Sequence, residues 1–302
     1  MRKDVISVMG GTGLQGGSVV DALLAQGTSK VRVASRNPAS DAARALSARG
    51  VEVVKADLLD PPSLAAAFEG ARGAFVVTQF WEPGQGSRET EIGTAAVKAA
   101  RSAGVEHLIW STLPDVESLS GGHFKVLHFT GKARVDAVVR SAGFARHTFV
   151  EAPFYFQNFL GPMAPQPLPD GARGWAVPMD PALRVIHGGD VTEVGRTVAA
   201  AFGAGDELPN GSVLAVAGGR YSWNDFAKTL NALGHYLKAV QVPADVYDRF
   251  YPGAHEVREM FQYWAEHTYF GPQHEAHIRA ANALVPGGFT PFADWARAHM
   301  KP

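Results

Sequence analysis

The chain has 302 residues, 46% hydrophobic and 19% charged, enough apolar side chain for a sizeable core and far from the composition of a disordered chain. A formal net charge of -1 supplies no bulk field toward nucleic acid or an anionic membrane, and neither is an expected partner. Cysteine is absent, which excludes disulfides, thiolate metal sites and cysteine nucleophiles, so any redox chemistry must be carried by a cofactor.

The opening "MRKDVISVMGG" contains too short an apolar run for a leader-peptide core or a membrane span, and a cytoplasmic location is expected. From there the first half alternates β-branched runs with alanine-rich segments. Strands are expected at 5–9, 31–35, 51–57, 74–78, 107–111 and 145–150, with helices near 14–26, 39–49, 61–69, 88–103 and 124–141. Each helix is followed by glycine or a glycine-containing turn, and the third opens on "DPPSL", where proline suits a first helical turn. This alternation predicts an α/β fold, a Rossmann-type doubly wound parallel sheet over residues 1–150.

After Val150 the sequence turns proline- and aromatic-rich, which predicts ordered irregular structure over a pocket. One more unit follows near 190–217, a helix in "DVTEVGRTVAAAF" with Asp190 or Thr192 at its start, then a strand in "SVLAVAG". The stretch 222–302 reads as helical. Residues 151–302 are thus expected to form a smaller α/β lobe interleaved with that late Rossmann unit.

The first strand runs directly into "GGTGLQGG", which opens the first helix. That context suits a pyrophosphate: the chain turns sharply, the backbone must approach the ligand with no Cβ between, and the helix N-terminus presents unpaired N–H groups. Gly10, Thr12, Gly13, Leu14, Gln15 and Gly16 are the candidate contacts. The second strand ends in "VASRNP", with no acid to take adenosine ribose hydroxyls but with Arg36, a planar fork matched to a 2′-phosphate. NADP(H) is therefore the expected cofactor; the competing reading of Arg36 is a solvated surface side chain. Asp57, ending the third strand, either accepts from the adenine amino group or caps the following turn. Thr78 and Gln79 follow the fourth strand and should line the same crevice, as should Pro153, Phe154 and Tyr155 beyond the sixth, although for each single aromatic the core is the favoured reading. "WEP" at 81–83 is a candidate lid. Ser111 and Thr112 stand at the carboxyl edge of the fifth strand, as substrate-facing hydroxyls or loop caps.

Taken in order, "VMGGTGLQGGSVVDALLAQG", "VRVASRNP", "VEVVKADLLD", "FTGK", "PFYFQNFL" and "PADVYDRFYPGAHEVREMFQYW" resemble the NmrA-like family of atypical short-chain dehydrogenase/reductases over almost the whole chain, most closely its NADPH-sensing members. The resemblance implies a Rossmann domain with a smaller lobe, NADP(H) binding, and in several members a regulatory use of the cofactor. Ordinary short-chain dehydrogenases carry Tyr-x-x-x-Lys, the Tyr exchanging a proton with substrate and the Lys holding the nicotinamide ribose. Here the pattern is His128-Phe-Thr-Gly-Lys132: the Lys is kept and the Tyr is replaced. Four residues apart on a helix, the two side chains share a face. Imidazole ordinarily titrates near pKa ~6.5, so His128 is chemically competent as a general acid, though a structural His is the alternative.

Two functions from different classes follow. One is an NADP(H)-binding redox sensor or regulator that signals through a protein partner. The other is an NADPH-dependent oxidoreductase of a small electrophile (quinone, enone or imine), with His128, Lys132 and Ser111 as catalytic candidates. His267, His274 and His277 lack an acidic partner in a ligand pattern, so no metal is expected. "RFYPGAHEVREMFQYWAEH" reads as a core-facing amphipathic helix. Either a monomer or a homodimer fits the sequence.

Overall fold

The computed structural model describes residues 4–301. In the first half, strands β1 (Val5–Val8), β2 (Lys30–Ser35), β3 (Glu52–Lys55), β4 (Ala71–Val76), β5 (His107–Thr112) and β6 (Arg146–Glu151) alternate with helices α1 (Leu14–Gln26), α2 (Asp41–Ala48), α3 (Leu64–Phe68), α4 (Glu89–Ser102), α5 (Val116–Leu119) and α6 (Leu127–Ser141). Left-handed glycines at positions 27, 50, 70, 104 and 143 end five of the helices, a conformation open to glycine at no steric cost. β3 stops short of the expected residue 57 because the Asp57 carboxylate accepts the Leu59 N–H and turns the chain.

Beyond β6 come the short strands β7 (Phe154–Tyr155), β8 (Gln166–Pro167), β9 (Arg173–Val177) and β10 (Ile186–Gly189), then α7 (Val191–Gly203) and β11 (Val213–Ala215). Asp190 caps α7, its side chain accepting the Thr192 N–H at 2.9 Å. The chain finishes with β12 (Gly219–Tyr221), α8 (Trp223–Asn231), β13 (Leu237–Gln241), α9 (Ala244–Tyr247), α10 (Ala254–His267), α11 (His274–Leu284) and α12 (Phe292–His299).

Seven strands form one parallel sheet in the order β11-β6-β5-β4-β1-β2-β3. The order reverses between β1 and β4, and the crevice at their carboxyl ends is where ligands bind in doubly wound sheets. α7 packs on α1 so closely that a Cβ on Gly195 would lie 2.1 Å from the Ser18 carbonyl oxygen, which locks the late αβ unit to the first one.

The remaining strands make two small sheets, β12-β10-β7 and β13-β9-β8. They enclose an aromatic core in which Phe154, Phe159, Trp223, Phe226 and Trp264 meet edge to face. Two expectations are corrected here. The stretch 222–302 is not wholly helical, because β13 intervenes, and part of 151–180 is strand. In both cases the pairing is distant in sequence: β13 lies parallel to β9, Leu237 opposite Arg173. A local pattern carries no information about such a partner.

Glu193, in the first turn of α7, is almost fully buried; its Oε1 accepts the Thr290 N–H and its Oε2 has no partner. Burial raises its pKa from 4.5 to about 6. A carboxyl raised on folding is more protonated in the native state, so its charge opposes folding as pH climbs through that interval. Glu193→Gln keeps the acceptor and removes the charge. Thermal or urea unfolding should show a gain of about 2 kcal/mol at pH 8 that vanishes near pH 4.5; an equal gain at both pH values would contradict this origin.

Candidate functional site

The glycine loop sits at the end of β1. Gly10 adopts φ +70°, and a Cβ on Gly11 or Gly16 would lie 2.6 Å from Val33 or 2.2 Å from the Gly10 carbonyl oxygen. The fold itself therefore requires those three glycines. Gly13 is different: its φ of -96° and ψ of 178° suit any residue, and a Cβ there would meet only ordinary contacts, 3.4 Å from the Gly10 oxygen and 3.5 Å from Gln79 Nε2. What a side chain at Gly13 would fill is the cradle above the helix. Gly13 provides no capping side chain to α1, and no acid stands in the first turn, so the N–H groups of Leu14, Gln15 and Gly16 have no intrahelical acceptor. Thr12 and Leu14 are exposed at the rim. From the same turn Gln15 Nε2 donates to Ser111 Oγ at 2.6 Å, joining the loop to the end of β5.

Next to it lies a buried ion pair. Lys132 Nζ donates to Glu89 Oε1 (2.6 Å), Thr78 Oγ1 (2.8 Å) and the Thr78 carbonyl (2.9 Å), using all three of its protons. Thr78 Oγ1 in turn donates to Glu89 Oε1 at 2.7 Å. Gly131 permits the approach, since a Cβ there would sit 3.1 Å from Glu89 Oε2. For Lys132 to reach a ribose hydroxyl, one of these bonds must be exchanged.

One turn earlier on α6, His128 is buried. Its backbone N–H donates to Glu256 Oε1 at 3.0 Å, and its Nδ1 lies 2.7 Å from the same oxygen. Glu256, on α10, caps a helix that has no capping side chain of its own, and Glu259 from α10 takes the Lys125 N–H just ahead of it. That capture holds residues 124–126 outside the helix, which starts at Leu127 rather than at the expected 124. With Nδ1 facing the carboxylate, Nε2 is the ring nitrogen left to exchange a proton. Phe80 and Trp81 stand over the ring at centroid distances of 5.5 and 5.0 Å.

At the other end of the crevice Arg36 makes a two-pronged pair with Glu82, Nη1 to Oε2 at 2.6 Å and Nη2 to Oε1 at 2.8 Å, and this carboxylate is the main cause of its raised pKa. Asp57 also acts on it through space. Asp57 itself caps the turn after β3. Pro153 and Tyr155 flank the start of β7; Tyr155 packs against the core of the large sheet, and burial pushes its phenol well above the ordinary value. Phe154 belongs to the aromatic core of the lobe. Of the three histidines read as metal-free, His277 pairs with Glu151 and His274 lies beside His187 with its ring tilted; among the described residues no group of three His, Cys, Asp or Glu side chains is placed to hold a metal.

Glu89 and Glu256 escaped the sequence reading, and Glu82 entered it only as the middle residue of the candidate lid at 81–83. The first two had a signal. Glu256 heads the stripe Met260 and Tyr263 on α10, and Glu89 heads Gly93, Ala96 and Val97 on α4, each a charge on an otherwise buried face.

The sheet and its crevice define a Rossmann-type doubly wound α/β protein with an aromatic lobe packed at the carboxyl edge. The chain belongs to the NmrA-like family, which it matches over residues 2–296. It is similar to a Dictyostelium discoideum NmrA-like family domain-containing protein, 33% identical over 211 residues, 67% of this chain and 68% of that protein. An NmrA-like family domain-containing oxidoreductase of Aspergillus flavus is 34% identical over 164 residues, 53% of this chain and 49% of its own length, so the match spans about half of that relative. The fold is similar to crystal structures of NmrA, a negative transcriptional regulator, in complex with NADP (TM-score 0.80) and with NAD (TM-score 0.81), each 26% identical and covering 99% of this chain and 96% of that one. No described helix is long and apolar enough to cross a membrane.

Removing one member of a buried pair leaves the other charge uncompensated. Lys132→Met should therefore cost about 3 kcal/mol of stability in a denaturant titration, and Lys132→Met combined with Glu89→Leu should restore most of it.

Proposed function

We propose that the protein binds NADP(H) in the crevice between β1 and β4 and uses the bound state as a signal to a partner. The observation behind this reading is a dinucleotide cradle that ends in an enclosed imidazole, at the position where ordinary short-chain dehydrogenases hold an open tyrosine. Gly13 leaves room for a pyrophosphate against the free N–H groups of α1, and Arg36 offers a guanidinium fork to the 2′-phosphate. On this reading Gln15, Thr78, Gln79 and Ser111 would line the middle of the cleft, and Pro153 and Tyr155 its far wall. A cytoplasmic setting and a protein partner or small substrate go with this reading.

A second reading, an NADPH-dependent reductase, draws support from the His128–Glu256 pair and from the oxidoreductase relative. Bound NADPH would supply a hydride; here Glu256 would hold Nδ1–H, Nε2 would take up a proton from solvent to give an imidazolium facing that carboxylate, and Nε2–H would then pass the proton to the reduced product. Phe80 and Trp81 would first have to uncover the ring.

Calorimetric titration should give NADPH binding at one site per chain, with NADH at least tenfold weaker; Arg36→Gln should remove that difference, and equal affinities in the unmutated protein would contradict the NADP assignment. Gly13→Val should abolish binding while leaving the thermal midpoint within a few degrees. With NADPH and a panel of quinones, enones and imines, the sensor reading expects no NADPH oxidation above buffer. Turnover that falls at least a hundredfold in His128→Gln would establish the reductase instead.

A further inference from the structure

The segment that follows β4 reaches both ends of the cleft. Glu82 grips Arg36, which follows β2, so the contact bridges over the carboxyl end of β1 and the glycine loop that lies between β4 and β2. Its neighbour Trp81 stands on His128. The segment is compact: Gln85 Nε2 donates to Glu82 Oε2 at 2.9 Å, the Gln85 N–H to the Glu82 carbonyl at 3.0 Å, and the Arg88 N–H to the Gln85 carbonyl at 2.9 Å. Gln79, at its start, faces Gly13. Residues 79–88 therefore form a strap across the crevice whose consecutive residues Trp81 and Glu82 reach to its two sides, Glu82 to the ion pair with Arg36 that pins it and Trp81 to the imidazole.

The pin uses both prongs of the guanidinium that the preceding reading assigns to the 2′-phosphate. A phosphate and a carboxylate want the same planar fork, and Arg36 cannot serve both in this geometry. The phosphate monoester carries close to two charges against one. The pair is also open to water, with the Arg36 side chain 58% and that of Glu82 35% exposed, so breaking it costs little.

Resting on the proposal that this chain binds NADP(H), we propose that Glu82 is a specificity-determining residue: it latches the strap to Arg36, and only a dinucleotide whose 2′-phosphate takes that guanidinium releases the strap from His128. NAD(H) has no group to displace Glu82 and leaves the strap closed. The strap thus converts the presence of one phosphate at the adenosine end into exposure of His128 at the nicotinamide end.

The test uses the full chain, with affinities from calorimetry and strap position from Trp81 fluorescence, assigned by difference against Trp81→Phe. In the unmutated protein NADPH should shift the Trp81 signal and NADH should not. Glu82→Gln should tighten NADPH roughly two- to fivefold, change NADH by less than about twofold, and show the shifted Trp81 signal before any cofactor is added. In an Arg36→Gln background the Glu82→Gln gain should disappear. Unchanged or weaker NADPH binding in Glu82→Gln overturns the proposal. So does persistence of the gain without Arg36, which would make Glu82 a general repulsive charge, or a Trp81 signal that NADH and NADPH shift alike. If the unmutated protein binds neither dinucleotide, the cofactor reading itself fails, and the latch with it.

Discussion

The cleft rests on an approach of one backbone to another that only glycine allows. The first turn of α1 seats Gly16 against the carbonyl of Gly10, at a separation that leaves no room for a single carbon, and the helix continues with Ser18 seated against Gly195 of α7. These two approaches set the depth and tilt of α1 between the glycine loop and the late αβ unit. The consequence is electrostatic: the helix start, without a capping side chain, points its N–H groups into the crevice where the strand order reverses. Had either glycine a side chain, α1 would move off the sheet and the cradle would lose its floor.

Around this fixed helix the cleft keeps its cationic and proton-carrying groups paired. Glu82 holds Arg36, Glu89 holds Lys132, and Glu256 holds His128. The three pairs differ in how strongly they resist exchange. Water surrounds the first, and surface pairs of this kind contribute about 0–1 kcal/mol. The second is buried, with Thr78 completing its hydrogen bonds and Glu89 Oε2 left unpartnered, so any rearrangement there exposes an expensive charge. The third ties two parts of the molecule together, because the carboxylate that orients the imidazole also caps α6 from a helix of the small lobe. An incoming anion therefore meets one labile partner and two firm ones.

Much of this was legible in the residues and some was not. The alternation of β-branched and alanine-rich runs, the glycines after each helix and the loop "GGTGLQGG" place the parallel sheet and its crevice, since each is a local signal with a short period. The boundaries moved where a distant group intervened: α6 starts three residues late because α10 supplies its caps. The partner strand of β13 was hidden for the same reason.

By itself the sequence determined a doubly wound sheet, a pyrophosphate-sized glycine loop, an arginine in place of the usual acid after β2, and a histidine in place of the usual tyrosine. These follow from spacing and residue type, which act over one turn of helix or one strand. Only the tertiary structure decided that each of the groups Arg36, Lys132 and His128 is already held by a carboxylate, and that a single segment lies over the first and last of them. Those pairings join residues 46, 43 and 128 positions apart, and no local pattern encodes a distance that only folding creates.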